Sequence, residues 1–350
     1  MSKPEIILTD EDREGKLKNY CYTYCDNDCN DNIKQSRGLV YKDNKPFLKS
    51  FGYTPQYTIE TIDVHMQEFI KNNIKTLRFY DSYEGTLIRL FYNDINNKWY
   101  ISTHRKLNAE KSRWGSSETF GDKFKSIIPE NFYTTLKKDL HYMFLLTPNE
   151  NNRIVCNTTN LVLHIGTYDS QFNLTTDYNI GVPRPTEHKF NTYEDFIIHL
   201  QTKTDITKIQ GLIIHDENTQ TNIKIYNEKY YEYYKVRNNV PSIMFRYLQL
   251  RNDDNMKNKM HKLYPKHVTR FAEYENALWN IADKLFNCYM NRFVKKIHTT
   301  VSPQENVILK TCHGWHLQNK QTNKMSKEKV MEIMNGFNAE MLNKLIKINK

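Results

Sequence analysis

Cys21, Cys25 and Cys29 recur at intervals of four beside aspartates and asparagines. Thiolates at such a spacing can hold zinc. A structural zinc site ordinarily joins one Cys-x2-4-Cys pair to a second pair, however, and no fourth ligand is evident nearby. Ordinary thiols on a loop or helix face are the simpler expectation. Cys312-His313-Gly314-Trp315-His316 gathers a thiol, two imidazoles and an indole. That set could ligate metal or stack on unpaired bases; the plainer reading is a structural turn before a helix, with Trp315 packed. Tyr230-Tyr231-Glu232-Tyr233-Tyr234-Lys235-Val236-Arg237 mixes aromatic and basic side chains. It reads as a strand end entering a helix with alternate tyrosines in the core, or as a surface that stacks bases and meets phosphate. Arg292, Lys295 and Lys296 lie on one predicted helical stretch and are candidates for RNA phosphate contact.

Further short segments occur in a telling order. Ser36-Arg37-Gly38-Leu39-Val40-Tyr41 is followed by Phe47-Leu48-Lys49-Ser50-Phe51-Gly52-Tyr53, then by Ser82-Tyr83-Glu84-Gly85-Thr86 and Ser102-Thr103-His104-Arg105. Tyr142 to Pro148 with Asn152-Arg153-Ile154-Val155, Gln210-Gly211-Leu212-Ile213, and Lys224-Ile225-Tyr226 with Tyr230 complete the series. One such segment is common by chance, but the series in order resembles the motifs of phage- and viral-type RNA ligases. These belong to the covalent nucleotidyltransferases, with DNA ligases and mRNA capping enzymes. The resemblance implies a nucleotide-binding pocket shaped by Arg37, Gly38, Glu84, Gly85, Gln210 and Lys224, with Arg105 on the RNA side.

The first ligase motif reads Lys-x-(Asp/Glu)-Gly-(Ser/Thr), and its lysine position falls on Ser82. That lysine attacks the α-phosphate of a nucleoside triphosphate to form a phosphoramidate, which serine cannot do. Two glutamates that orient the lysine and engage metal fall on Phe144 and Gln210, and a phosphate-binding lysine falls on Tyr226. A magnesium site needs anionic oxygen. The motifs therefore read as those of a degenerate ligase that binds RNA, and nucleotide as a secondary expectation, with no catalytic residue at position 82, no metal site and no certain cofactor. One alternative is an active RNA ligase with ATP and Mg²⁺ and a relocated lysine, for which Lys49, Lys75 and Lys224 are the candidates. Another is a scaffold protein of a viral particle that reuses the fold.

These residues need a frame. Leu87–Phe91, the turn residues Asn93-Asp94-Ile95-Asn96-Asn97 and Trp99–Ile101 read as a hairpin. Tyr142–Leu146, Arg153–Cys156, Leu161–Ile165, Ile209–His215 and Asn222–Tyr226 read as strands, with short helices near Ile62–Asn72 and Thr192–Gln201. Beyond Pro241 the period changes. Phe271, Tyr274, Leu278, Ile281, Leu285 and Cys288 form the stripe of a long amphipathic helix. Ser326 is an N-cap for a helix through Val330 and Met334; Gly336 interrupts it, and Leu342, Leu345 and Ile346 mark another. The expected class is α+β: an N-terminal extension over 1–35, an antiparallel-sheet nucleotidyltransferase domain over 36–240, and a basic α-helical domain over 241–350.

Bulk properties agree with that frame. The chain has 350 residues, 13% of them aromatic, enough for a tyrosine- and phenylalanine-rich core. No apolar run approaches the ~18 residues of a membrane span, and Met-Ser-Lys-Pro-Glu has no apolar leader. No membrane association is expected. Six cysteines make no disulfide framework and suit a cytoplasmic setting, or packaging in a virion. The net charge of +10 lies entirely in residues 241–350, which carry 19 Lys+Arg against 9 Asp+Glu. A basic module beside a neutral one suits a polyanion, most simply RNA, with an acidic protein partner as the alternative.

Overall fold

The protein is described here by a computed structural model covering residues 3–149, 153–157 and 159–349. In chain order the first elements are β1 (Ile6–Asp12), β2 (Leu17–Tyr22), α1 (Asp31–Gln35), β3 (Leu39–Lys42), β4 (Lys45–Leu48), β5 (Gln56–Tyr57) and α2 (Val64–Asn72). Next come β6 (Arg78–Ser82), β7 (Thr86–Asn93), β8 (Lys98–Ser102), α3 (Phe120–Ile127), β9 (His141–Leu146), β10 (Val162–Tyr168), β11 (Leu174–Thr175) and β12 (Glu187–His188). α4 (Tyr193–Ile198), β13 (Gly211–Asp216), β14 (Thr221–Tyr226) and α5 (Glu228–Arg237) follow. The remainder is helical: α6 (Ile243–Leu250), α7 (Asp254–Leu263), α8 (Val268–Tyr289), α9 (Pro303–Gln318), α10 (Lys327–Asn335) and α11 (Ala339–Ile348). The chain divides into two compact units, Met1–Lys235 and Val236–Lys350. The class is α+β, with antiparallel sheets followed by a helical C-terminal region.

Among the described residues the first unit holds three sheets, ordered β1-β2-β3-β4, β11-β10-β9-β7-β8 and β12-β6-β13-β14-β5. Every pairing is antiparallel except that of β14 with β5. Side chains alternate across each strand, so one register sets two faces. On the third sheet Phe79, Leu212, Ile214, Ile223 and Ile225 pack against Ile70 of α2 and Phe196 of α4. On the second, Ile88, Tyr142, Phe144 and Leu146 pack against Phe124 of α3. Leu17, Val40 and Leu48 of the first sheet meet Leu87, Phe91 and Met143 on the second sheet's other face.

Several sequence expectations are corrected here. The expected extension over 1–35 is no separate piece from Ile6 to Tyr22, since β1 and β2 are hydrogen-bonded into the first sheet with β3. Residues 153–156 form no strand; their backbone is held by a side chain described below. Tyr230 to Arg237 lies wholly within α5, so its tyrosines follow a helical period, not alternation. The expected hairpin is β7–β8, paired from Arg89–Ser102 to Asn93–Lys98.

In the second unit, α8 buries Phe271, Leu278, Ile281 and Leu285, the expected stripe, and Tyr274 and Cys288 pack at its margin. Ser326 caps α10 by accepting from the Lys329 N–H, and Gly336 closes that helix. Cys312, His313 and His316 lie inside α9 rather than on a turn before a helix. No helix among the described residues is long and apolar enough to cross a membrane.

Candidate functional site

Between the inward faces of the second and third sheets lies a cavity of about 320 Å³. Alternation explains its lining. On β13, Leu212 and Ile214 face the helices, so Ile213 and His215 face the cavity; on β14, Ile223 and Ile225 face the helices, so Asn222 and Lys224 face the cavity. Tyr80 and Ser82 project from β6, and Leu145 and Leu87 from the opposing sheet.

The two sheets are joined where β6 runs through Tyr83-Glu84-Gly85 into β7. A Cβ on Gly85 would sit 2.7 Å from the Leu146 carbonyl oxygen, so only glycine lets the connection pass so close to β9. Glu84 points away from the cavity, buried to 2% exposure. Its carboxylate accepts from the N–H groups of Ile154 (2.8 Å), Val155 (2.6 Å) and Cys156 (2.9 Å), and from the Tyr230 hydroxyl (2.9 Å). Glu84 is thus an anchor for the 154–156 segment and α5, not a wall of the cavity. Burial and the nearby Glu84 carboxylate push the Cys156 thiol well above its ordinary range.

From Glu84 a chain of hydrogen bonds leads back to the cavity. The Gln210 Nε2 donates to the Tyr230 hydroxyl (2.8 Å), and the Gln210 Oε1 accepts from both the Ser82 hydroxyl (3.2 Å) and the Lys224 Nζ (3.0 Å). Ser82, Gln210 and Lys224 therefore meet at one point on the cavity wall. Burial lowers the Lys224 ammonium from its usual value to about 8, and the Arg37 guanidinium nearby adds to the shift; Glu84 and Cys156 oppose it. Arg37 also lines the cavity, with its Nε buried and without a partner among the described residues.

Arg37 is aimed by the turn behind it. Gly38 has φ +73°, and a Cβ there would lie 2.7 Å from Arg89 Nη1. Arg89 is fully buried; its guanidinium donates to the carbonyls of Gly38 and Thr103, to Asn19 Oδ1 (3.0 Å) and to Ser102 Oγ (3.0 Å). Gly38 itself does not line the cavity.

Of the residues singled out from sequence, Arg37, Ser82, Gly85, Gln210 and Lys224 come together here, and Glu84, Gly38 and Arg105 do not. Arg105 Nη2 instead donates to the carbonyls of Tyr22 (2.9 Å) and Thr23 (3.2 Å). The motif alignment places a glutamate position on Phe144, but Phe144 is in the core beneath α3 and the cavity-facing residue of β9 is Leu145. Either side chain is apolar, so no carboxylate enters from this strand. Tyr226 bonds Gln56 Oε1 (2.7 Å) and does not line the cavity. Asn152 lies outside the described residues. Neither Lys49 nor Lys75 lines the cavity.

Sequence reasoning missed Arg184, His164, His215 and Asp81, which all line it. No local motif marks Arg184, His164 and His215, because strand pairing brings them in from distant segments; Asp81 immediately precedes Ser82, but its residue type gave it no role in the motif. Asp81 is the one carboxylate among the described residues of the wall, and it accepts from His188 Nε2 (2.8 Å). A single, already engaged carboxylate is a poor donor set for magnesium. Among the described residues there is no cluster of three or more His, Cys, Asp or Glu suited to a metal. Three cations among the described residues line the cavity: Arg37, Lys224 and Arg184, the last paired with Asp177 (2.7 Å), so Arg37 and Lys224 stand among amide and hydroxyl neighbours with Asp81 as the nearby carboxylate.

In the helical unit, Arg292 lies in a π-helical turn and donates to Asn306 Oδ1 (2.8 Å). Lys295 and Lys296 fall after that turn, with Lys296 at φ +61°, so the three do not share one helical face. The His313 ring stacks on Phe293 at 4.1 Å, and His316 Nδ1 lies 2.6 Å from the Asn323 carbonyl oxygen. Cys312 is buried, and all six cysteines are free thiols.

No protein-family model matches the chain. Two solved structures resemble it: a protein described as an ATP-dependent DNA ligase from Aquifex aeolicus (9% identity, TM-score 0.45, covering 76% of this chain and 75% of that one) and Naegleria gruberi RNA ligase with PPi (12%, 0.33, 52% and 57%). Likeness at this level carries no statement about chemistry. Three viral relatives are similar in sequence. They are the immediate-early protein ICP-46 homologs of Invertebrate iridescent virus 3 (29% identity over 344 residues) and Invertebrate iridescent virus 6 (29% over 304), and ICP-46 of Frog virus 3, isolate Goorha (23% over 248). The matches cover 91%, 77% and 62% of this chain and 74%, 66% and 61% of those relatives. Over most of its length, then, the chain is similar to iridescent-virus immediate-early proteins of the ICP-46 kind.

Proposed function

We propose that the cavity binds a nucleoside phosphate through Arg37 and Lys224 without forming a nucleotidyl-lysine at position 82, and that the basic helical unit binds RNA. The observation that carries this reading is the meeting of Ser82, Gln210 and Lys224 beside Arg37. A phosphate there gains two cations, while serine at 82 offers no amine and no cluster of carboxylates among the described residues is at hand to hold magnesium. The protein then acts as a ligase-like binding scaffold.

A second reading is favoured by the placement of the Lys224 Nζ beside the Ser82 hydroxyl, both on Gln210 Oε1, where burial also lowers its ammonium. A neutral Nζ could attack the α-phosphorus of ATP, forming a P–N bond as the P–O bond to pyrophosphate breaks and the nitrogen gives up a proton to solvent. One experiment separates the two. The chain is incubated with α-labelled ATP or GTP and Mg²⁺, resolved on a denaturing gel, and nucleotide binding is measured in parallel. Binding without a labelled band is the expected result. An acid-labile band lost in Lys224→Arg supports the relocated nucleophile, and no binding at all overturns both.

A further inference from the structure

A second cavity of the first unit, of about 350 Å³, has walls of a different kind. Five tyrosines line it: Tyr53, Tyr57, Tyr226, Tyr231 and Tyr234. Asp26 and Asp28 stand beside them, and none of its described lining residues is Lys or Arg. Tyr226, Tyr231 and Tyr234 come together because α5 follows β14 after one residue and sets Tyr231 and Tyr234 three apart on one face. Their ring centroids lie 5.5–6.0 Å apart with planes within 23° of each other.

We propose that this tyrosine-walled cavity is a binding site for an alkylated ammonium group, such as a trimethylammonium head. Aromatic faces carry negative quadrupole potential and attract cations that are weakly hydrated. Two of the chain's own ammonium groups lie near these rings, Lys235 Nζ 4.5 Å from the Tyr231 ring centroid and Lys224 Nζ 5.4 Å from that of Tyr226. The carboxylates set the sign. Asp26 is fixed in place by the Tyr24 hydroxyl (2.7 Å) and the Asp28 N–H (3.0 Å), and Asp28 is exposed. Burial, with these carboxylates adding to it, raises the Tyr53 and Tyr57 phenols above their ordinary value. Unpaired bases also stack on tyrosine, but their phosphates would meet Asp26 and Asp28 in the wall itself, which disfavours RNA here. Methyl groups suit a wall of this breadth better than a bare ammonium, because they shed little water on entering it.

The test uses the full chain and calorimetric titration with tetramethylammonium, choline and a trimethyllysine peptide. Controls are 3,3-dimethylbutanol, the neutral isostere of choline, and the same peptide with unmodified lysine. Saturable binding of at least one trimethylammonium probe below about 10 mM is expected, with the neutral isostere and the unmodified peptide at least about fivefold weaker. Whether choline or the peptide binds tighter identifies the source as a headgroup or a modified protein, and either supports the site. Tyr231→Leu and Tyr234→Leu should each weaken binding by about fivefold or more, whereas Tyr234→Phe, which keeps the ring, should retain it. Equal binding of either control, no saturation by any trimethylammonium probe, or full retention in both leucine variants with unchanged thermal melting would overturn the proposal.

Discussion

Lys224 is the residue on which the proposed anion site turns, and its titration gives a direct check. Its free-state value of about 8 is below that of an ordinary ammonium. A bound phosphate favours the charged form and raises that value. Affinity for a nucleoside phosphate should therefore be full below pH 8 and fall above it, by up to about tenfold per pH unit. The unliganded fold responds with the opposite sign: between about pH 8 and the ordinary lysine range the unfolded chain holds the extra proton, so this group makes the fold more stable as pH rises. Nucleotide titrations from pH 6.5 to 9.5 should show the break, and Lys224→Arg should abolish it. Gln210→Glu places a carboxylate 3.0 Å from Nζ and should move the break upward while weakening binding. A break that stays put in that variant would mean another group titrates.

At the scale of elements, Glu84 ties the β6–β7 connection to the 154–156 segment and to α5. Glu84→Ala would take the acceptor from the buried N–H groups of Val155 and Cys156, from the part-buried N–H of Ile154 and from the Tyr230 O–H, which would still accept from Gln210. Each uncompensated group costs about 1–3 kcal/mol, so a loss of about 3 kcal/mol or more is expected. Glu84→Gln keeps one acceptor and should cost less. The denaturant midpoint reads both, and a Glu84→Ala midpoint equal to that of the parent would remove the anchor role. Phe144 makes a contrasting case. It is a core residue against Phe124 and Phe132, with ring centroids 5.3 and 6.3 Å away. Phe144→Glu, meant to restore a ligase carboxylate, would put a charge in that core and should unfold the second sheet's packing. Leu145→Glu is the change that reaches the cavity.

For the whole molecule the asymmetry of charge is the main lever. The C-terminal +10 should bind a polyanion whether or not the cavity does chemistry. Each neutralised single-strand phosphate contributes about −0.7 to the log–log salt slope, so replacing Arg292, Lys295 and Lys296 with alanine should flatten it by up to about 2. Helix content should not change, because the buried stripe of α8 is untouched. Salt-dependent RNA binding with an unaltered slope in that variant would turn attention to other lysines. No RNA binding at all would favour an acidic protein partner and the scaffold alternative.

The sequence by itself determined what short-range patterns encode. The β7–β8 hairpin was legible because turn residues separate two apolar runs, and α8 and the Ser326 cap because helical period and capping are local. It also placed Arg37, Ser82, Gly85, Gln210 and Lys224 in one series, and the structure brings those residues to one cavity. Only the tertiary structure decided which way neighbouring residues point. Strand alternation says that Phe144 and Leu145 face opposite sides but not which side is the cavity, and a slip of one residue exchanges them. Glu84 looked like a binding residue until the 154–156 backbone folded onto its carboxylate. Arg184 and His215 carry no motif, because what joins them to Asp81 is the pairing of β6, β12 and β13 across more than a hundred residues of chain.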